Sequence, residues 1–280
     1  MIHTSTQIKA LVRNESKGNS TKAQIMIRSY FMERFLERIS LSEYKNSFVL
    51  KGGLLISSIV GLDRRSTMDI DGTIKNMPLT IESAKSMIDH IIAIPLEDDT
   101  VFTVKRIEEV MEESEYGGIR VSLDAQVDIM KTPIKIDIST GDVITPGEIA
   151  HQYKLMFEDR SISVWAYNLE TLLAEKLETV ISRGALNTRL RDFYDIYILM
   201  SDDTHPVKRD TFKQAFEATA GMRGTVSLLK DSEKILQEVH DSEVMQNLWR
   251  DYQKKYDHAK GIPWENIMKS VLQLYARATE

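Results

Sequence analysis

At 280 residues with 42% hydrophobic content, the chain can bury a sizeable core, and its length suggests about two domains or lobes. It has no cysteine, and its six histidines never fall in a His-x-x-x-His pair, which excludes a disulfide framework or thiolate zinc site and leaves oxygen as the donor for any metal. A formal charge of -6 withholds the basic field of a general nucleic-acid binder, so an RNA partner would have to meet a local patch.

Residues 1–20 are polar with no apolar signal-like core. The longest near-apolar run, 54–62, is far short of the roughly 20 residues that span a bilayer, so a cytoplasmic protein without a membrane partner is expected. A helical pattern covers 21–39. Lys51-Gly52-Gly53 then reads as a turn before a helix at 54–59, where glycines let the backbone approach a triphosphate and amide groups donate to its oxygens. The next segment, Arg65-Ser-Thr-Met-Asp-Ile-Asp71, lies in a β-rich run over 66–74. Residues two apart on a strand share a face, so Asp69 and Asp71 can converge on one divalent ion while Ile70 packs the other way. A second helix is expected over 80–92, and further strands over 101–108, 119–125 and 134–138. A third carboxylate belongs on a strand flanked by apolar residues. Lys135-Ile136-Asp137-Ile138 offers one, whereas Asp128 precedes Met-Lys-Thr-Pro, which reads as a turn at 130–133. Together these features point to nucleotidyl transfer, with the acids holding one or two Mg²⁺ (or Mn²⁺) ions. Neither a P-loop nor a Gly-x-Gly-x-x-Gly turn is present.

After Asn168 the pattern is helical, with Pro206 and Pro263 as breaks. The predicted organisation is an α/β (α+β) lobe over 1–160 followed by a helical-bundle lobe over 161–280. Leu169, Leu172, Leu173, Leu177, Val180 and Ile181 form an apolar stripe at helical spacing, and Lys176 occupies a stripe position where a core residue belongs. A buried ammonium needs an anion, so Lys176 should face a carboxylate or a phosphate. The helix predicted over 188–200 carries Asp192 and Asp195. Arg191 and Asp195 stand at i,i+4, a spacing suited to a solvated pair, and Asp192 has no such local partner. Arg183, Arg189 and Arg191 border these helices and could guide a polyanion.

The sequence resembles the polymerase-β-like nucleotidyltransferases and, within them, the AbiEii/AbiGii toxin family of type IV toxin-antitoxin and abortive-infection systems. Lys51-Gly52-Gly53, Arg65 to Asp71, Lys135-Ile136-Asp137, Ala174-Glu175-Lys176-Leu177 and Arg191-Asp192-Phe193-Tyr194-Asp195 carry the resemblance. It implies a mixed β-sheet with flanking helices, followed by a helical bundle. It further implies catalytic roles for Asp69, Asp71, Lys176 and Asp192, metal binding by Asp69, Asp71 and Asp137, and nucleotide binding by Gly52, Gly53, Arg65, Thr67 and Lys176. Asp192 is favoured over Asp195 as the functional acid. Gly53 stands where many superfamily members have serine, so backbone donors replace a hydroxyl. The implied reaction moves a nucleoside monophosphate from an NTP, with GTP or CTP as candidates, to an acceptor such as the tRNA 3′ end, and arrests growth unless opposed by a separately encoded, DNA-binding autorepressor antitoxin. Transfer to a small molecule or protein, or NTP binding without catalysis, are the alternatives.

Overall fold

Capped helices and alternating strands give seven strands and ten α-helices among residues 2–110 and 117–279, the described part of the computed structural model. They form two compact units: Met1–Ile59, Ser66–Asp142 and Ile149–Ala166 in the first, and Val60–Arg65, Val143–Glu148 and Tyr167–Glu280 in the second.

The first unit opens with α1 (Ser5–Ser16), whose Thr4 and Gln7 form a capping box, and α2 (Ser20–Leu41), capped by Asn19. Then come β1 (Phe48–Lys51), α3 (Gly52–Val60), β2 (Asp69–Ile74), α4 (Ile81–Ile92), β3 (Val101–Val110), β4 (Gly118–Val127), β5 (Met130–Thr140), β6 (Ile149–Lys154) and β7 (Ser161–Ala166). The strands make one sheet in the order β3-β4-β5-β2-β1-β7-β6. β2 runs parallel to β5 and β1 to β7, and the other neighbours are antiparallel. The mixed α/β class expected from the sequence is therefore present. α2 packs on β5 and β7, and its Phe31, Phe35 and Leu36 are fully buried. Its buried face also holds Arg38, whose two terminal nitrogens each reach an Asp98 oxygen at 2.9 Å, so a charged residue is tolerated inside because its counter-charge is buried with it.

Two details differ from the sequence reading. The turn expected at 130–133 lies earlier, at Asp128 and Ile129, with Asp128 at φ +51°; aspartate accepts that left-handed conformation more readily than most residues. Residues 130–133 instead begin β5. Pro133 is accommodated because β2 pairs with β5 only from Lys135 onward, so the missing N–H interrupts no ladder on that side. In addition, β6 and β7, not singled out from sequence, extend the sheet to Ala166.

The second unit contains α5 (Leu169–Arg183), α6 (Leu190–Met200), α7 (Arg209–Met222), α8 (Ser232–Asp241), α9 (Glu243–Lys255) and α10 (Trp264–Thr279). Leu173, Leu177, Val180, Phe193, Ile196, Phe212 and Trp249 are buried in its core. The indole N–H of Trp249 donates to the Ile262 carbonyl at 2.9 Å and that of Trp264 to the His240 carbonyl at 3.0 Å, so both large rings are buried without an orphaned donor. No helix among the described residues is long and apolar enough to cross a membrane.

Candidate active site

β2 alternates as the sequence requires. Ile70 is fully buried, and half-buried Asp69 and Asp71 take the other face. In the parallel ladder Asp69 stands beside Lys135 and Asp71 beside Asp137, while the antiparallel ladder sets Lys51 beside Asp71. Residues paired across a ladder project to one face. Asp69, Asp71 and Asp137 therefore share a face, with buried Ile70 and Ile136 behind them.

The glycine turn sits directly on this strip. Gly52 has φ +64°, and a Cβ there would lie 2.7 Å from both Cβ and Cγ of Asp71. Any side chain would both strain the backbone and displace the carboxylate. The Gly53 N–H, at the start of α3, donates to Asp71 Oδ2 at 3.1 Å. Lys51 Nζ lies 2.6 Å from Asp142 Oδ2, which also accepts from Ser139 Oγ at 2.7 Å. Burial pushes the Asp71 carboxyl up to about 6; the Gly53 N–H and Lys51 oppose the rise, whereas Asp137 and Asp69 add to it.

Asp137 is claimed from the next strand. Arg120 of β4, opposite it in register, donates from Nε to Oδ1 and from Nη2 to Oδ2, each at 2.7 Å. Among the described residues no group of three or more His, Cys, Asp or Glu side chains is gathered so that it could hold a metal ion as it stands. The donor set is nevertheless of the right kind. Carboxylate oxygens on one face, beside a turn with no side chain in the way, suit a hard divalent cation that keeps water or phosphate oxygens in its remaining positions.

A second group of predicted residues lies in the second unit. Lys176 Nζ reaches Asp192 Oδ1 at 2.8 Å and Asp195 Oδ2 at 2.7 Å. Asp195 in turn accepts from Arg65 Nε at 2.6 Å and Nη2 at 3.2 Å. The result is a chain of alternating charge, Arg65, Asp195, Lys176, Asp192. Its inner members are shut from water, with side chains 3% (Arg65) and 0% (Asp195) exposed, and its outer members are partly open at 13% and 15%. Burial works against the charge on Asp195, but Arg65 and Lys176 outweigh it and hold the carboxyl at about 2. Burial likewise lowers Lys176, but Asp192 and Asp195 more than compensate and keep its ammonium above the usual lysine range. The expected solvated pair of Arg191 with Asp195 is replaced by this arrangement, because Asp195 points inward; Arg191 is exposed and hydrogen-bonds Tyr256. Lys176, expected to face a carboxylate or a phosphate, meets two carboxylates, those of Asp192 and Asp195. Arg65 and Thr67, at 2% and 3% exposure, are organised inward: Arg65 holds Asp195, and Thr67 Oγ1 reaches the Asp69 carbonyl at 3.4 Å. Of the flanking cations, Arg183 is half-buried and Arg189 is exposed.

Residues 34–270 match the family described as "Nucleotidyl transferase AbiEii toxin, Type IV TA system". The chain belongs to the AbiEii family. It is accordingly a nucleotidyltransferase of the type IV toxin-antitoxin class, and nucleotidyltransferases in general use an NTP and a divalent metal. Among solved structures, the chain is similar to JHP933 from Helicobacter pylori at 13% identity and TM-score 0.49, over 91% of this chain and 94% of that one. It is also similar to an antigenic nucleotidyltransferase-like protein from Paracoccidioides brasiliensis at 12% identity and TM-score 0.40, over 76% and 92%. No curated protein matches the chain.

Proposed function

We propose that this AbiEii-family enzyme transfers a nucleoside monophosphate from an NTP, with GTP or CTP the candidates, to the 3′ end of a tRNA in a Mg²⁺-dependent reaction that Mn²⁺ also supports. The observation that carries the reading is the Gly52-Gly53 turn set against Asp71, on a strip of three aspartates from two adjacent strands. An acceptor hydroxyl attacks the α-phosphorus, the bond to the bridging oxygen breaks, and pyrophosphate leaves. The bound cation supplies neutralisation of the phosphate charge. Asp69 and Asp71 hold it, with Asp137 as the third carboxylate. Gly52 and Gly53 let the backbone of the turn approach the triphosphate, and backbone N–H groups there donate to it.

The family resemblance assigns Lys176 and Asp192 to the same reaction. Two of the three Lys176 N–H directions go to Asp192 and Asp195, which leaves one for a phosphate oxygen. Asp192, at the open end of its charge chain, is the acid suited to accept the hydroxyl proton or to bond the base or ribose, and Asp195 is the buried group that holds Lys176 in place. Arg65 and Thr67 serve the nucleotide indirectly, through Asp195 and the start of β2. A separately encoded antitoxin, a DNA-binding autorepressor, opposes the resulting growth arrest.

Induced expression in bacterial cells tests this reading. Wild type is expected to arrest growth and to leave tRNAs with added 3′ nucleotides, visible by sequencing tRNA ends. Asp69→Asn and Lys176→Met should do neither. Arrest by Asp69→Asn would refute the mechanism, and arrest by wild type with unaltered tRNA would move the acceptor to a small molecule or protein, an outcome that the net charge of -6 accommodates.

A further inference from the structure

Three negative charges on one strip of a sheet repel one another unless a cation sits among them. Lys51 is turned to Asp142, and Lys135, although beside Asp69 in register, is exposed. Arg120 is held differently. On β4, Ile119, Val121, Leu123 and Ala125 are buried, so Arg120 projects to the opposite face, that of the acids. Its side chain is 34% exposed, against 15% for Asp137. The planar guanidinium meets both Asp137 oxygens at 2.7 Å, the side-on geometry in which two parallel charge-assisted bonds fix orientation as well as charge. Asp137 is itself the ladder neighbour of Asp71.

We propose that Arg120 is a positioning residue that stands in for the divalent cation: it neutralises and orients Asp137 while the strip holds no metal, and gives up at least one of the two oxygens when the ion is bound. This rests on the reading of Asp69, Asp71 and Asp137 as the metal acids. Arginine and metal compete for one carboxylate, so Arg120 sets how readily the third acid joins the site. A residue that merely braced the strand would show no such competition.

The test is Mn²⁺ binding to the full-length protein without NTP or acceptor, read from the electron paramagnetic resonance signal of free Mn²⁺. Arg120→Met is expected to bind Mn²⁺ about tenfold more tightly than wild type, the weight of roughly one charge-assisted bond, and Arg120→Lys, which keeps the charge but loses the fork, to fall between them. Asp69→Asn should lose the binding in both backgrounds. Unchanged or weaker Mn²⁺ binding by Arg120→Met of wild-type circular dichroism would overturn the proposal while leaving the metal acids intact. If Arg120→Met fails to fold, Arg120→Lys decides, and affinity equal to or below wild type overturns the proposal in the same way. Binding that is absent from wild type and Arg120→Met alike, or indifferent to Asp69→Asn, would overturn the metal reading and this proposal with it.

Discussion

Asp71→Asn is expected to abolish nucleotidyl transfer and at the same time to stabilise the metal-free protein. The loss follows from removing a charged oxygen from the cation site, a contribution of several kcal/mol to the transition state, which corresponds to at least about a thousandfold in rate. The gain follows from the carboxyl being pushed up to about 6 in the fold, first by burial and then by Asp137 and Asp69, against the Gly53 N–H and Lys51. In the unfolded chain the same group titrates near 3.8. Between those values the folded state binds the proton more tightly, so stability rises as pH falls from about 6 toward 4. Above about 6 the ionised Asp71 costs the fold at most about 3 kcal/mol. Asparagine removes that cost at neutral pH and can still turn its carbonyl oxygen to the Gly53 N–H. The melting temperature should rise by about 2–4 °C for each kcal/mol recovered, and the stability gain of wild type between pH 6 and 4 should flatten. Thermal melts of both proteins across that range check this. A variant less stable than wild type at pH 7.5 would show that the carboxylate is not under strain.

Asp195→Ala should be among the most destabilising single substitutions in the second unit. Asp195 is fully buried and receives Arg65 and Lys176 together. Truncation removes the carboxylate to which buried Arg65 and partly buried Lys176 are directed, a loss of about 3–5 kcal/mol. Asp192→Ala, at the more open end of the same chain, should cost no more than about 1 kcal/mol. The pH dependence has the opposite sign to that of Asp71. A carboxyl held at about 2 adds stability that is present above its unfolded value and lost only as pH falls below about 4 toward 2. Denaturant unfolding followed by tryptophan fluorescence measures both variants. An Asp195→Ala cost below about 1 kcal/mol would mean that the buried charges find equivalent partners elsewhere, and the account of this cluster would fail.

Local features of the chain carried much of this description. The period-two spacing of Asp69 and Asp71 determined their common face, the helix expected over 80–92 forms with Thr80 as its cap, and a lysine in an apolar stripe announced a buried counter-charge. What escaped was set by contacts distant in the chain. Arg65 and Asp195 lie 130 residues apart, and no local pattern links them; the nearer Arg191 offered a plausible but unrealised partner. The Arg120 contact depended on one turn. A two-residue loop at Asp128 and Ile129 places Val127 opposite Met130 and, counting back, Arg120 opposite Asp137. A turn at 130–133 gives a different register in which that pair is never considered. A left-handed aspartate is a weak signal beside a proline, which is why the later turn looked more convincing. β6, largely exposed along its length, lacks the apolar alternation that marks the interior strands.

The measurement that tests the central claim most directly is transfer from NTPs labelled separately at the α- and γ-phosphates, using purified protein, Mg²⁺ and total tRNA, with Asp71→Asn in parallel. Label from the α-position alone should move to RNA, with release of pyrophosphate, and only with wild type. Transfer of the γ-label, or α-transfer that survives Asp71→Asn, would contradict nucleotidyl transfer by this strip of aspartates.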